Sequence, residues 1–281
     1  MLGTEQAITG YTRVLGSATA LCVVALARLG LRTALIARVG DDEPGQFCRE
    51  CLRAEGVNVM GVITDPSTPT GLTVSLAYPA DRLLLTHSGT MALLTGADVP
   101  AERLGEARHL HVSSFFLQTG LQADLPALFA AARAQGLTTS LDTGWDPEGA
   151  WMSDALRDTL AQTDVFLPNK AELAALGDAD ALLATGVSRI VVKQGAAGAT
   201  LFTPEGATAA PGFQVHPTDT TGAGDSFNGG FLFGFLAGWP AAKCLRLGNA
   251  CGAMATRIVG GVGGYSDRAA VEAFMLRPAS P

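Results

Sequence analysis

The feature of this chain that most restricts its fold is the alternation of short β-branched runs with longer stretches of helical periodicity. The β-branched runs lie at residues 33–40, 109–115, 138–144, 163–169 and 188–195. This order is typical of a parallel sheet covered by helices, because parallel strands need a helix-length connection between them. The sequence therefore predicts an α/β fold, and its 281 residues contain no low-complexity linker, which favours one domain over residues 1–281.

Residues 70–88 have a different pattern, TGLTVSLAYPADRLLLTHS. Alternating apolar and polar residues, a Pro-Ala-Asp turn and a second apolar run predict a β-hairpin instead of a strand–helix–strand unit. A hairpin inserted early in an α/β domain would form a small lid.

Composition excludes several classes of function. The net charge of -7 is accompanied by no cluster of Lys and Arg, which argues against a nucleic-acid surface. The apolar run at 20–30 is interrupted by Arg28 and is too short to cross a bilayer, so we expect no membrane partner. The five cysteines are odd in number and lack the dense spacing of a disulfide scaffold, and Cys48 and Cys51 have no second ligand pair for zinc. These features predict a cytoplasmic protein with free thiols.

The strongest chemical signal is DTTGAGDSFNGGFLFGFLAG at 219–238. Small residues at 222–224 allow a tight turn with exposed backbone N–H groups at the start of an apolar helix, an arrangement that binds anions. Asp225 beside such a pocket would take a proton from a hydroxyl that attacks a phosphoryl group. The alternative is a Gly-rich turn in which Asp225 only caps the helix, and the spacing alone leaves both open.

The segment DTTGAGDSFNGGFL resembles the C-terminal signature of the ribokinase-like (PfkB) family of carbohydrate kinases at every defining position. Further similar segments are RVGDDEPGQF (38–47), PTGLTVSL (69–76), DRLLLTHSGTMALLT (81–95), FLPNKAE (166–172), IVVKQGAAGA (190–199) and LGNACGAMATRIVGGVGG (247–264). The resemblance implies a three-layer αβα sandwich with a mostly parallel sheet and a small β lid, and ATP and Mg²⁺ as cosubstrate and cofactor. It also implies that Asp225 is the catalytic base and that Gly222, Ala223 and Gly224 form the anion hole.

The resemblance assigns other residues to the nucleotide. Asn169 and Glu172 match the N-x-x-E motif that organises Mg²⁺, water and phosphates, although a helix-start turn with a first-turn Glu also explains their positions. Lys193, Gly195 and Gly198 match the nucleotide-proximal strand pair, while a solvated lysine in a Gly-rich hairpin is the alternative.

Two further assignments stay open in the same way. Asn249 is a candidate adenine-side residue, or else part of a helix–helix contact through small residues. Asp219 and Thr221 match positions that hold a monovalent cation such as K⁺ in several members of the family, whereas Asp219 would otherwise cap its own turn.

Asp142 and Asp146, in SLDTGWDP, end a predicted strand, where open α/β sheets present ligand-binding residues. Paired carboxylates indicate acid–base or metal chemistry. For Asp146, which precedes Pro147, a turn is the favoured interpretation.

The chain departs from the family at its beginning. MLGTEQAITGYTRV contains no hydrophobic first strand ending in Gly and a substrate-binding Asp, so the sequence is expected to start about one strand late. The usual Gly-Gly-x-x-x-Asn element appears as GSATAL, with Ser17 for the second Gly and Leu21 for the Asn that faces the acceptor. Gly16 and Ser17 remain the candidate substrate-binding residues, together with Asp225.

The chain has no Walker A pattern, and GGVGGYSD at 260–267 follows a helix instead of a strand, so neither a P-loop NTPase nor a dinucleotide site is predicted. The favoured hypothesis is an ATP-dependent kinase that phosphorylates a hydroxyl of a sugar or sugar-like acceptor. A nucleoside kinase and a non-catalytic regulator are the alternatives; Tyr78 is one of few lid aromatics suited to stacking on a base. The resemblance also predicts a homodimer through the lid.

Overall fold

The computed structural model describes residues 5, 10–77, 82–261, 264–265 and 267–277. The strands are β1 (Ala34–Gly40), β2 (Asn58–Asp65), β3 (Leu72–Ala77), β4 (Arg82–His87), β5 (His109–Ser113), β6 (Thr138–Asp142), β7 (Val165–Phe166), β8 (Arg189–Lys193), β9 (Ala199–Thr203) and β10 (Gly206–Ala210). The α-helices are α1 (Ala18–Arg28), α2 (Glu43–Ala54), α3 (Ala101–Gly105), α4 (Leu125–Ala134), α5 (Asp154–Leu160), α6 (Lys170–Leu176), α7 (Ala179–Leu183), α8 (Ala223–Leu236), α9 (Ala241–Ala255) and α10 (Arg268–Met275).

The central sheet has six strands in the order β10-β9-β8-β7-β6-β5. The pairs from β5 to β8 are parallel, and β9 and β10 complete the sheet as antiparallel strands. Strands β1 and β2 form a separate parallel pair. The predicted mostly parallel α/β sheet is therefore confirmed.

Alternation along the strands divides the core into two layers. Val191 faces the cluster that contains α1, α8, α9 and α10, whereas its neighbours Ile190 and Val192 face the cluster that contains α4 and α5. Successive residues of a strand point to opposite faces, so a continuous run of buried β-branched residues requires helices on both sides of the sheet. The result is the αβα sandwich predicted from the sequence.

Helix α8 packs in the middle of its layer, and two glycines allow the close approach. A Cβ atom on Gly229 would lie 2.6 Å from Ala25 Cβ of α1, and one on Gly230 would lie 2.8 Å from Cys251 Sγ of α9. Residues Ser226 to Gly234 are all buried. The first turn of α8 is thus fixed by packing on two sides.

The segment after β1 is tied to the base of the hairpin. Asp42 caps α2 by accepting a hydrogen bond from Gly45 N at 2.9 Å, and its other oxygen accepts one from Thr70 N at 2.8 Å. Gly40 N donates to Thr70 Oγ1 at 2.8 Å. A Cβ atom on Gly40 would lie 2.7 Å from Thr68 O, and one on Gly45 would lie even closer to Gly40 O, which explains why both positions are glycine.

Strands β3 and β4 are antiparallel, with Val74 opposite Leu85 and Leu76 opposite Leu83. Directly opposite residues share a face of a hairpin, so these four and Leu72 form one apolar face. All five side chains are 38–53% exposed. Tyr78 and the predicted turn at 79–81 lie outside the described residues.

The strand expected at 163–169 is shorter in the structure. The run at 163–169 forms only the two-residue strand β7, because Pro168 and the cap of α6 follow it directly. Residues 1–4 and 6–9, which bear on the expected absence of a first strand, lie outside the described residues, as do 262, 263 and 266 of the Gly-rich loop. None of the helices in the described ranges is long and apolar enough to cross a bilayer.

Candidate active site

The turn before α8 has the conformation that its small residues predict. Gly222 has φ 73° and stands at the N-cap of α8, and a Cβ atom there would lie 2.9 Å from Leu21 Cδ1. Gly224 and Asp225 belong to the first helical turn, where backbone N–H groups have no carbonyl of the helix to pair with. The turn therefore offers N–H groups and the positive end of the helix dipole to an anion.

Asp219 holds this turn against a second loop. Its carboxylate accepts hydrogen bonds from Thr221 N at 2.9 Å and from Gly260 N at 3.0 Å. Both carboxylate oxygens thus accept hydrogen bonds from backbone N–H groups. This is the turn-capping role that the sequence analysis considered for Asp219. The neighbouring Gly261 packs closely over the Thr221 carbonyl and the Gly222 Cα atom.

A pocket of about 310 Å³ opens at the carboxyl ends of the parallel strands, next to this turn. Its lining residues are Ala18, Ser114, Asp142, Gly144, Asn169, Glu172, Lys193, Gly195, Gly224 and Asp225. Residues that are distant in the sequence therefore meet where open α/β sheets bind ligands. Among the described lining residues three are acidic and one, Lys193, is basic.

Lys193 does not have a solvated side chain, so that alternative is wrong. Its side chain is 12% exposed, and Nζ donates hydrogen bonds to Asp142 Oδ2 at 2.6 Å and to Asn228 Oδ1 at 3.2 Å. Asn228 Nδ2 donates to the same Asp142 oxygen at 2.6 Å. The three side chains form a closed triangle of hydrogen bonds, which we call the lysine triad.

Asp225 is half-buried, and its pKa is raised to about 7. Burial is the largest cause, and the negative charges of Asp142 and Glu172 add to it while Lys193 opposes it. A carboxyl group with a pKa near the working pH is suited to accept a proton during reaction and to release it afterwards. The pKa of Asp142, in contrast, is lowered because its contacts with Lys193, Asn228 and Gly144 N outweigh burial.

Asn169 and Glu172 form a capping box at the start of α6. Asn169 Oδ1 accepts bonds from the N–H groups of Ala171 and Glu172 at 2.8 and 2.9 Å, and Glu172 Oε2 accepts one from Asn169 N at 2.7 Å. Both residues also line the pocket, and Glu172 is only 5% exposed. Burial raises the pKa of the Glu172 carboxyl, and the charge of Asp142 adds to this effect.

The remaining nucleotide candidates occupy different surroundings. Gly195 lines the pocket with φ 60° and open space where a side chain would stand. Gly198, with φ 103°, instead packs tightly against the Ala210 carbonyl. Asn249 Nδ2 donates to the carbonyl oxygens of Ala210 and Pro211 at 3.0 and 3.1 Å. This contact joins α9 to the end of β10. The Asn249 amide therefore does not make the helix–helix contact that was considered as an alternative.

The residues that the sequence suggests for acceptor binding directly precede α1. Ser17 stands at the N-cap of α1 with φ 69° and makes no side-chain cap bond. Gly16 has open space around its Cα atom, Ala18 lines the pocket, and Leu21 is buried against Gly222. Ser17 stands where the family pattern has Gly, and its backbone has a left-handed conformation, which favours glycine.

Asp146 has a structural role, as the interpretation of its sequence context favours. Its two oxygens accept bonds from Glu148 N at 2.9 Å and from Trp151 N at 2.6 Å, and it does not line the pocket. His109 and His111 are also structural, bonded to Ser140 Oγ at 2.7 Å each, and burial lowers their pKa values to about 3 and about 4. Both imidazoles are therefore neutral at physiological pH.

The sequence analysis did not identify Asn228 or Ser114, nor the lining residues Ala18 and Gly144. Asn228 lies three residues after Asp225 on α8, and residues at this spacing share a helix face, so the motif itself carried the signal. Ser114, which follows β5 with φ 58° and lines the pocket, had only its position after a strand to mark it.

Residues 9–266 match the pfkB family of carbohydrate kinases. The chain belongs to this family. It is 32% identical over 254 residues to the ATP-dependent ribose-1-phosphate kinase of Halopiger xanaduensis, covering 89% of this chain and 83% of that protein. It is 29% identical over 289 residues to the 2-dehydro-3-deoxygluconokinase of Bacillus subtilis, covering 95% and 88% of the two chains.

Among solved structures, this fold is similar to that of a putative ribokinase II from E. coli in complex with ATP and Mg²⁺. The TM-score is 0.87, the sequence identity is 25%, and the match covers 98% of this chain and 94% of the other. The protein is thus an ATP-dependent carbohydrate kinase with the ribokinase fold, as the sequence motifs predict.

Proposed function

We propose that the protein transfers the γ-phosphoryl group of Mg·ATP to a hydroxyl group of a sugar or sugar-like acceptor, with Asp225 as the base. The observation that carries this proposal is the position of Asp225: its carboxyl group, with a pKa of about 7, lines the pocket in the first turn of α8, three residues after Gly222. A base and an anion-binding turn on the same helical turn are the two parts that phosphoryl transfer to an alcohol requires.

In this mechanism the acceptor hydroxyl gives its proton to the Asp225 carboxylate as its oxygen forms a bond to the γ-phosphorus. The bond from that phosphorus to the β,γ-bridging oxygen breaks, and ADP leaves with the electron pair. The N–H groups at Gly222, Ala223 and Gly224 stabilise the negative charge on the phosphoryl oxygens. Lys193 supplies positive charge next to this turn, since a Cβ atom on Gly224 would lie 3.6 Å from its Nζ atom.

The residues of the pocket fit a magnesium ion that is shared with ATP. Mg²⁺ keeps several water ligands and is held in nucleotide sites by one or two carboxylates and the phosphates. Glu172 and Asn169 line the pocket and are fixed by their capping box. When bound there through water, the ion would neutralise phosphate charge. Asp219 and Thr221 are the residues that would hold a monovalent cation such as K⁺ beside the turn.

The nucleotide would lie along Lys193, Gly195 and Gly198, with Asn249 toward the adenine, while Gly16 and Ser17 would approach the acceptor. The hairpin β3–β4 would close over the acceptor and exclude water, which limits the hydrolysis of ATP. Its exposed apolar face would also pair with that of a second subunit, giving a homodimer. All five cysteines are free, which agrees with the cytoplasmic location that we propose.

The test is ADP release with Mg·ATP against a panel of neutral sugars, sugar phosphates, sugar acids and nucleosides. We expect turnover with one acceptor class, and Asp225→Asn to lower kcat by on the order of 10²- to 10⁴-fold while ATP still binds in calorimetry. Asp146→Asn is the matched control, because this buried carboxylate lies outside the pocket. ATP binding without turnover on any acceptor would contradict the proposal and favour a non-catalytic regulator; nucleosides as the sole acceptors would make it a nucleoside kinase.

A further inference from the structure

The lysine triad provides the positive charge of the pocket, and its geometry is unusually restricted for a lysine. Lys193 Nζ is bonded to Asp142 and Asn228, and the Asn228 amide bridges the other two groups by donating to Asp142 and accepting from Lys193. Asn228 is fully buried and Asp142 is 5% exposed. A side chain with four rotatable bonds is thus held in one position by two partners that are themselves fixed.

The position in which Lys193 is held is next to the anion-binding turn. A Cβ atom added to Gly224 would lie 3.6 Å from Lys193 Nζ, so the ammonium group is in contact distance of the first turn of α8. Asn228 begins the next turn of the same helix, three residues after Asp225. The triad therefore links the charge of Lys193 to the helix that carries the candidate base.

Resting on the proposed function, we propose that Asp142 and Asn228 are positioning residues: they hold the Lys193 ammonium group against the first turn of α8. From there it attracts the transferred phosphoryl group and favours the ionised form of Asp225. Asp142 also keeps Lys193 charged, because a buried ammonium group without a carboxylate partner would lose its proton more readily. The amide of Asn228 fixes which way the lysine points.

The position of the Lys193 ammonium group affects the protonation of Asp225 because of the other charges around this carboxyl group. Within the described part of the chain, four titratable groups interact with it: Cys22 from α1, Asp142 at the end of β6, Glu172 from α6 and Lys193 from β8. The carboxylates of Asp142 and Glu172 favour the protonated base, and Lys193 is the one cation among these four. Loss of its charge or a displacement of its ammonium group would leave Asp225 protonated at neutral pH.

A simpler role for Lys193 is direct phosphate binding with no help from Asp142. The two roles differ in what Asp142→Asn does. Under direct binding, the freed lysine would engage the phosphates more strongly and ATP would bind more tightly without loss of kcat. Under positioning, the lysine loses its fixed place and kcat falls.

The first measurement is NMR of the ammonium groups of the full-length protein, labelled with ¹⁵N-lysine and without nucleotide. A buried, bonded ammonium group exchanges its protons slowly and is observable, and Lys193→Met assigns its signal. We expect the signal to vanish in Asp142→Asn and in Asn228→Leu and to remain in Asp146→Asn. A signal that persists in the first two variants would overturn the proposal. This measurement needs no turnover, so its failure is distinct from failure of the proposed function.

The second measurement is a double-mutant cycle on kcat. We expect Lys193→Met and Asp142→Asn each to lower kcat by on the order of 10²-fold, and the double variant to be no slower than Lys193→Met alone. Lys193→Arg should recover part of the activity, and Lys193→Met should raise the pKa of the Asp225 carboxyl in a ¹³C titration. Effects that multiply in the double variant, or an unchanged Asp225 titration, would contradict the proposal. If Asp142→Asn fails to fold by circular dichroism, Asn228→Leu replaces it in the cycle.

Discussion

Two parts of the molecule differ in how tightly their residues are constrained: the turn before α8 with the lysine triad, where we propose that phosphate binds (the phosphate side), and the segment before α1, where we propose that the acceptor binds (the acceptor side). On the phosphate side, Gly222 has a backbone and a packing that only glycine satisfies, and Asp142, Lys193 and Asn228 bond to one another. On the acceptor side, Ser17 occupies a glycine conformation, Gly16 has open space, and Leu21, at the position where the resemblance implies an Asn, is buried against Gly222. A turn that cradles phosphate depends on backbone shape, which few residues permit, whereas an acceptor surface can change its side chains without loss of the fold.

The largest expected contrast is between Gly222→Ala and Gly16→Ala. Alanine at 222 would be strained at φ 73° and would press on Leu21 and Gly261, which displaces the anion-binding turn. We expect Gly222→Ala to lower kcat by on the order of 10²-fold. Gly16→Ala meets no atom within 4 Å, so we expect kcat to change less than about threefold.

Steady-state kinetics with the acceptor identified in the panel would measure this contrast. A rise in the acceptor KM alone in Gly16→Ala would sharpen it, since this would place Gly16 against the acceptor. Equal losses of kcat in the two variants would break it.

A second test concerns the stability of the phosphate side. The pKa of Asp225 is raised to about 7 from an ordinary value of 3.8. The folded protein therefore holds this proton more tightly than the unfolded chain, and this contribution to stability is complete below pH 4 and is lost as the pH rises through about 7. The gain in the free energy of unfolding of Asp225→Asn over the wild type should therefore be larger at pH 8 than at pH 5, by on the order of 2 kcal/mol. Urea unfolding at both pH values measures it, and a gain that does not depend on pH would contradict the assigned pKa.

The third test concerns the hairpin on the acceptor side. Leu85 belongs to the apolar face, whereas Leu84 lies on the opposite face and is similarly exposed, at 49% against 53%. If the apolar face pairs two subunits, Leu85→Asp should weaken the dimer by about tenfold or more, because it buries a charge in an apolar contact. Leu84→Asp is the matched control and should leave the dimer intact. Light scattering during size-exclusion chromatography decides it, and a wild-type monomer at all concentrations would refute the dimer.

The smallest expected effect is at Ser17. A non-glycine residue at φ 69° and ψ 122° is strained, and Ser17 gains no cap bond in return. Ser17→Gly should therefore stabilise the protein by about 1 kcal/mol, whereas Ser153→Gly, which removes a cap bond to Leu156 N, should destabilise it slightly. Thermal or urea unfolding of both variants measures the difference. A loss of stability in Ser17→Gly would show that the strain assigned to this residue is absent.

The sequence predicted the parallel sheet, the helix after Gly222 and the carboxylate at 225, because each depends on local pattern: β-branched runs, small residues before an apolar helix, and an acid in its first turn. It could not predict the surroundings of Lys193, since its two partners lie 51 and 35 residues away in the chain. The same limit applies to Asn249, whose amide bonds to carbonyl groups at the end of β10 and not to a neighbouring helix.

The sequence by itself determined the order of strands and helices, the turn at 219–225 and membership in a family of kinases, because these follow from local conformation and from residues adjacent in the chain. Only the tertiary structure decided that Lys193 is buried between Asp142 and Asn228, that Asp225 has a pKa of about 7, and that Leu21 packs on Gly222. Proton affinity and charge depend on burial and on the distances between groups. The fold sets those distances by bringing the ends of β6 and β8 to the first turn of α8.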